Sequence, residues 1–217
     1  PYSEISGNEQ YLRLLFDFGY GELELSELKI GNTNLSNFED VETEIQYGTG
    51  AETAFKLYSM QVDETSQSLL VTNTGGAQIL TTSADSNEGI IDGAFQGLVS
   101  ISDDGTNQNH TVNIKFEYRL TSGGGWTTSD TVAFVNKTRQ PYYVTHRIQF
   151  PSANQWDIRI TRTTTDTSSD LIRDEFVVTN IKSVTNKPPI NVSGRCMVAM
   201  RIRATDQLNG VIDQFNA

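Results

Sequence analysis

The sequence predicts an all-β protein: a β-sandwich inserted in, or packed on, a smaller β-rich segment. Three observations lead there. Apolar and polar residues alternate with the period of two that marks half-buried strands. Clusters of Gly, Asn, Asp and Ser punctuate these runs as turns. No segment longer than about ten residues carries a helical period, and no internal repeat is visible.

The elements follow in chain order. Leu23, Leu25, Leu28 and Ile30 lead into Gly31-Asn32, a dipeptide that supplies the positive φ of a tight hairpin turn. Val41, Thr43 and Ile45 alternate with Glu42, Glu44 and Gln46, which reads as a strand with one wet, acidic face. Phe55, Leu57 and Ser59 alternate with Lys56, Tyr58, Met60 and Val62 in the same way. Asn73-Thr74-Gly75-Gly76 breaks the pattern and marks a boundary, so residues 1–72 form a first β-rich segment.

Strand-like runs then recur at 77–82, 89–101, 110–120, 131–135, 142–150, 155–164 and 174–185. Turns such as Asp103-Asp104-Gly105 and Ser122-Gly123-Gly124-Gly125 separate them. About seven strands in roughly 110 residues is the signature of a sandwich of immunoglobulin or fibronectin type, here over 75–187. Val112, Ile114, Phe116 and Tyr118 form one apolar strand face; Trp156, Ile158 and Ile160 form another. Lys187-Pro188-Pro189 ends the sandwich, because proline removes a ladder donor and restricts its neighbour. Residues 190–217 make a return segment. Its strand sets Cys196, Val198, Met200 and Ile202 against Arg195, Ala199, Arg201 and Arg203. The chain opens on a proline and stops in Val211–Ala217 while a pattern is still running, so the segment reads as truncated, a piece of a longer polypeptide.

Charge is unevenly spread. The 217 residues carry 27 acids and 16 bases, a net −11. Residues 1–65 hold 13 of the acids and three bases (Arg13, Lys29, Lys56), a charge of −10. Such a balance argues against a nucleic-acid-binding module, whose phosphate contacts need clustered Lys and Arg. The single Cys excludes an internal disulfide framework and a Cys-rich zinc site. No apolar run approaches a membrane span.

Chemistry is sparse. His110 and His146, the only imidazoles, sit in or beside strand patterns without a Gly-x-Ser-x-Gly elbow or a Cys-His signal, and read as ordinary strand histidines. Cys196 lies on an apolar strand face and reads as a small hydrophobe. No pair of carboxylates stands out for glycoside hydrolysis. Asp103–Asn107 and Asp85–Glu88 cluster oxygens, but neither matches an EF-hand loop, and Asp and Asn populate turns for their own backbone bonds. Gly123-Gly124-Gly125 lacks the Lys-Ser/Thr of a phosphate loop. Asn-x-Ser/Thr triplets at Asn34, Asn109, Asn136 and Asn191 are no more than 25 Thr, 18 Ser and 16 Asn produce by chance. Arg159 and Arg162 beside Asp157 read as partners within the fold. No catalytic, cofactor-binding or metal-binding residue is therefore assigned, no cofactor is expected, and the chain reads as a non-enzyme.

Several motifs stand in a recognisable order. Gly19-Tyr20-Gly21 is followed by Ser26–Thr33 and Phe38-Glu39-Asp40-Val41-Glu42. Then come Thr81–Asp85, Phe95–Val99, Glu117-Tyr118-Arg119, Phe150-Pro151, Trp156–Arg162 and Arg201–Gly210. In this order they resemble the tail-tip attachment protein J family, also called host specificity protein J, of long-tailed, lambda-like phages and prophages. The resemblance spans nearly all of the chain, but only part of a family protein that is usually far longer.

The resemblance implies a virion structural protein: a segment of the hub at the phage tail tip, contributing to tail-tip assembly and host attachment. It implies as partners other copies of the chain, a trimer in the full-length protein, together with other tail-tip proteins and the tape-measure protein. Specific nucleic-acid binding and membrane insertion of this segment are not implied. It places the protein in the virion, at the tail tip, after synthesis in the bacterial cytoplasm. Residues 1–72 and 190–217 would be hub body, and the sandwich an insertion. An acidic first third facing the tail lumen would repel passing DNA. The alternative reading is a carbohydrate-binding or adhesive β-sandwich, in which Trp126, Tyr142, Tyr143 and Trp156 stack on sugar rings.

Overall fold

Alternation becomes strand along most of the chain. The computed structural model describes residues 2–6, 9–53, 55–58, 61–185, 193–204, 208 and 214–216. Lys187-Pro188-Pro189, Asn191 and most of Val211–Ala217 lie outside the described residues. Among those described, the one helical turn is of 3-10 type, at Leu35–Asn37. The chain divides into two compact units, residues 1–61 with 186–217 and residues 62–185.

The first unit begins with strands β1 (Tyr2–Ser6), β2 (Glu9–Tyr20), β3 (Lys29–Ile30), β4 (Thr33–Asn34) and β5 (Val41–Tyr47). The second holds β6 (Gln61–Val71), β7 (Gln78–Thr81), β8 (Ser86–Phe95), β9 (Val99–Ile101), β10 (Asn107–Gln108) and β11 (His110–Leu120). It continues with β12 (Thr127–Asn136), β13 (Tyr142–Asn154), β14 (Trp156–Arg162), β15 (Ile172–Arg173) and β16 (Phe176–Thr185). The chain then returns to the first unit as β17 (Arg195–Arg203) and β18 (Phe215–Asn216).

In the first unit the main sheet has the order β1-β2-β17-β5. β17 is antiparallel to both neighbours, with Arg201 opposite Arg13 on one side and Glu42 on the other. A central strand is covered on both faces, and β17 is: Cys196, Met197, Val198, Ala199, Met200 and Ile202 are all buried. Met200 and Ile202 join Leu35, Leu12, Leu14 and Phe38 in one cluster; Met197 and Ala199 join Phe55, Leu15 and Leu57 in another. A register shift at Cys196/Met197 against β2 accompanies the two-sided burial. The Gly31-Asn32 turn closes the β3–β4 hairpin, with Gly31 at φ 57.

Two sequence expectations change here. Residues 21–28 are not strand; Leu23 N–H donates to the Tyr47 carbonyl instead of to a ladder. Phe55–Tyr58 are not strand either. Their alternation reflects side chains folded into the cluster under β17, a burial that needs no ladder partner.

The second unit is a sandwich of two four-stranded sheets, β13-β8-β16-β6 and β12-β11-β14-β7. One apolar cluster lies between them, drawing Ile91, Phe95, Ile148, Val178 and Ile181 from the first sheet and Val112, Ile114, Phe116, Ile158 and Ile160 from the second. The faces read from the alternation of β11 and β14 are therefore core faces, and Trp156 is core as expected. Asn73–Gly76 falls inside this unit, as the turn that carries the chain from β6 in one sheet to β7 in the other. A small third sheet has the order β10-β9-β15.

Candidate functional site

The two histidines are held by different means. His110, at the start of β11, sets Nε2 3.2 Å from Asp174 Oδ2. The same carboxylate accepts from Arg162 Nη2 at 2.6 Å, and Arg162 Nη1 donates to the Asp174 carbonyl at 2.7 Å. Arg162 is buried, so Asp174 neutralises a guanidinium that water cannot reach. His146 instead stacks on Phe116, ring centroids 4.0 Å apart. Burial pushes its pKa down, against an opposing pull from Asp130. Its Nε2 has no hydrogen-bond partner among the described residues. No hydroxyl or thiol among the described residues bonds either imidazole, so neither has a nucleophile to activate.

The oxygen-rich loop at 103–107 is a closed turn. Gly105 N–H donates to the Ser102 carbonyl, and Thr106 N–H donates to Asp104 Oδ1, which holds that carboxyl below the usual range. Arg139 occupies Asn107 Oδ1 and the Gly105 carbonyl. Among the described residues no group of three or more His, Cys, Asp or Glu side chains could hold a metal ion. Cys196 is buried, and burial raises its pKa, away from the reactive thiolate.

The four aromatics considered for sugar stacking do not form a platform. Trp156 is core, stacked on Phe150. Tyr142 packs against the same core, while its neighbour Tyr143 points the other way on β13 and is exposed. Trp126 lies on the outer face of the β11–β14 pair, where the guanidinium carbons of Arg119 and Arg159 sit 4.4 and 4.3 Å from its ring centre. Arg159 Nε donates to Glu117 at 2.7 Å and Arg119 Nε to Asp157 at 3.2 Å. Arg159 and Arg162 are thus partners within the fold, as expected, but of Glu117 and Asp174 and not of Asp157.

Pairing of β17 redistributes the charge. Its Arg195 bonds Asp17, its Arg201 bonds Glu4 and Glu42, and its Arg203 bonds Glu39 and lies 3.4 Å from Asp40. Glu44 accepts the backbone N–H groups of Lys56 and Leu57. Counted by unit, the first has 13 acids and 7 bases and the second 14 and 9, charges of −6 and −5. The asymmetry of the linear sequence is therefore a property of chain order. Nothing in the sequence marks Arg201 as the partner of Glu4, or Trp126 as the partner of two arginines, because strand register decides both.

Clefts open in both units. One in the first unit is lined by Leu28, Leu35, Phe38 and Val41 with Glu27 and Asn34. One in the second borders Arg162, Asp166 and Asp174, whose charged groups already bond one another or the Asn73-Thr74 backbone. No helix among the described residues is long and apolar enough to cross a membrane. What the geometry offers is antiparallel sheets tied by ion pairs between neighbouring strands.

Comparison with known families agrees. No curated protein matches the chain. The family model for the FNIII-A domain of tip attachment protein J matches residues 61–187, well over half of the chain and nearly coincident with the second unit. The fibronectin-like sandwich, the order of motifs and this match make the chain a member of the phage tip attachment protein J family.

Proposed function

We propose that this chain is a structural segment of a phage tail-tip hub that contributes to tail-tip assembly and host attachment. The observation that carries the reading is the FNIII-A match across 61–187, a sandwich bracketed in sequence by the two halves of another unit. β17 returns between β2 and β5, so the chain leaves the first unit, builds the sandwich and comes back into the same sheet. That is the connectivity of one domain inserted into the sequence of another. Its partners are other copies, in a trimer, with other tail-tip proteins and the tape-measure protein. The protein is made in the bacterial cytoplasm and works in the virion without catalysis.

Labelling tests the placement. Fab fragments raised against the purified chain should mark the distal tail tip of the parent phage in electron micrographs. Label on the capsid or along the tail tube would overturn the reading. Limited proteolysis tests the insertion: cleavage between the units should release a stable core of about 120 residues, the size of an independent domain. A chain that resists as one piece would count against it.

A further inference from the structure

The outer face of the β11–β14 pair carries its charges in two layers. The carboxylates lie underneath, with Glu117 and Asp157 side chains 6% and 9% exposed. The bases lie on top: Lys115, Arg119 and Arg159 are 35%, 32% and 27% exposed. On a chain of net charge −11 this face therefore presents cations. Both arginines bond their carboxylates through Nε, so their Nη donors remain for another acceptor. Both are also held against Trp126, which lowers the entropy lost when they bind. Tryptophan and arginine are the residues that most often dominate binding at protein interfaces. Their contacts with the ring leave less of its face for a sugar and favour a carboxylate, which a guanidinium meets with paired N–H donors.

A segment of matching chemistry lies in the first unit. Glu22 and Glu24 are exposed, in a stretch outside any sheet, and neither carboxylate has a partner among the described residues. In extended chain, residues i and i+2 project to the same side, about 7 Å apart.

We propose that Arg119, Arg159 and Trp126 form a docking face for the Glu22–Glu24 segment of a second copy of this chain. The proposal rests on the reading above that copies meet in the tail tip, and it names the surfaces. The contact is heterologous, since one copy offers the basic face and the next the acidic segment, and such contacts form a ring where the rotation between copies closes.

Carbodiimide coupling reads this directly, because it joins a lysine to a carboxylate in contact with it. An equal mixture of unlabelled and 15N-labelled chain is coupled at low ionic strength, and the products are identified by mass spectrometry. Mixed-isotope peptides joining Lys115 to Glu22 or Glu24 are expected, and should fade at about 0.5 M salt as screening shortens the range of the attraction. The E22Q/E24Q variant alters exposed residues without partners and should fold normally. Its self-association constant, by sedimentation, should fall about tenfold or more, the scale set by loss of a charge-paired contact. Absence of mixed-isotope coupling at Lys115 up to about 1 mM chain, or an unchanged E22Q/E24Q, overturns the proposal. Association through other residues would sink this contact while leaving the tail-tip function standing; Fab label away from the tip would sink that function alone.

Discussion

Arg201 Nε lies 2.8 Å from Glu4 Oε1, although 197 residues separate the two in the chain. The same carboxylate accepts Nε and Nη2 of Arg13, each at 3.1 Å. Glu4 and Arg13 are buried, so the first and last parts of the first unit meet at a charge cluster shielded from water. Arg13 also donates Nη1 to the Leu57 carbonyl at 2.6 Å.

Removing the shared acceptor leaves a buried guanidinium without its counter-charge. Glu4→Ala should destabilise the first unit by about 3 kcal/mol, the usual cost of breaking a buried ion pair from one side. Glu42→Ala, at the exposed end of the same network, should cost less than about 1 kcal/mol. Hydrogen exchange of the β2 and β17 amides separates the two outcomes; equal effects would show that burial does not govern the cluster.

Gly48 is required where Gly31 is only preferred. Both have positive φ, 82 and 57. A Cβ on Gly48 would overlap the Gly21 carbonyl oxygen, a backbone atom with little freedom to move, whereas a Cβ on Gly31 meets nothing. Gly31→Ala should cost about 1 kcal/mol, the left-handed strain alone. Gly48→Ala should cost at least about 2 kcal/mol, strain plus steric overlap. Urea unfolding of the two variants checks the order.

Acid should weaken the fold within a defined window. The Gly194 backbone N–H, helped by those of Glu52 and Gly50 and the Thr49 hydroxyl, lowers the pKa of Glu52 to about 2. The Arg159 hydrogen bond lowers Glu117, and the Thr74 and Asn73 N–H groups lower Asp166. In the unfolded chain a glutamate protonates near pH 4.3. Between that value and the lower folded one, the unfolded state binds more protons. The stabilisation is complete above the unfolded pKa and is lost as pH falls through the folded pKa. His146 adds to the trend from higher pH, since burial resists its protonation in the folded state. Thermal midpoints should fall steadily from pH 6 toward pH 2, and the Glu52 carboxyl should titrate near 2 by NMR. A midpoint unchanged from pH 5 to 3 would contradict the assignment.

The sandwich core should fail at its aromatic centre. Phe95 is buried and meets Phe176, Phe134 and Tyr142, ring centroids 5.0, 5.6 and 6.2 Å away. Phe95→Ala should cost about 3–5 kcal/mol through lost burial and the cavity left behind. Tyr143→Ala, exposed on the same strand pair, should stay within about 0.5 kcal/mol. Denaturant midpoints of the second unit distinguish them.

Where one strand face is apolar and the other polar, the sequence was a sufficient guide. Val112, Ile114, Phe116, Ile158 and Ile160 were legible as core for that reason. Alternation was ambiguous at Phe55–Tyr58, where side chains are buried without a ladder, and at Leu23–Leu28, which lie outside any strand. Of the surface, the sequence revealed which charges and aromatics exist but not their partners. Trp126 looked like a free stacking ring until the register of β11 against β14 placed Arg119 and Arg159 against it.

By itself, then, the sequence determined the all-β class, the sandwich core and the absence of a local catalytic motif, because each is written in spacing along the chain. The tertiary structure decided what depends on which strands become neighbours. It inserted β17 between β2 and β5 and brought Arg195, Arg201 and Arg203 to the acids of the first third. The reason is physical. Strand alternation is local, but ion pairing acts through space, and only the pairing of distant strands determines which charges meet.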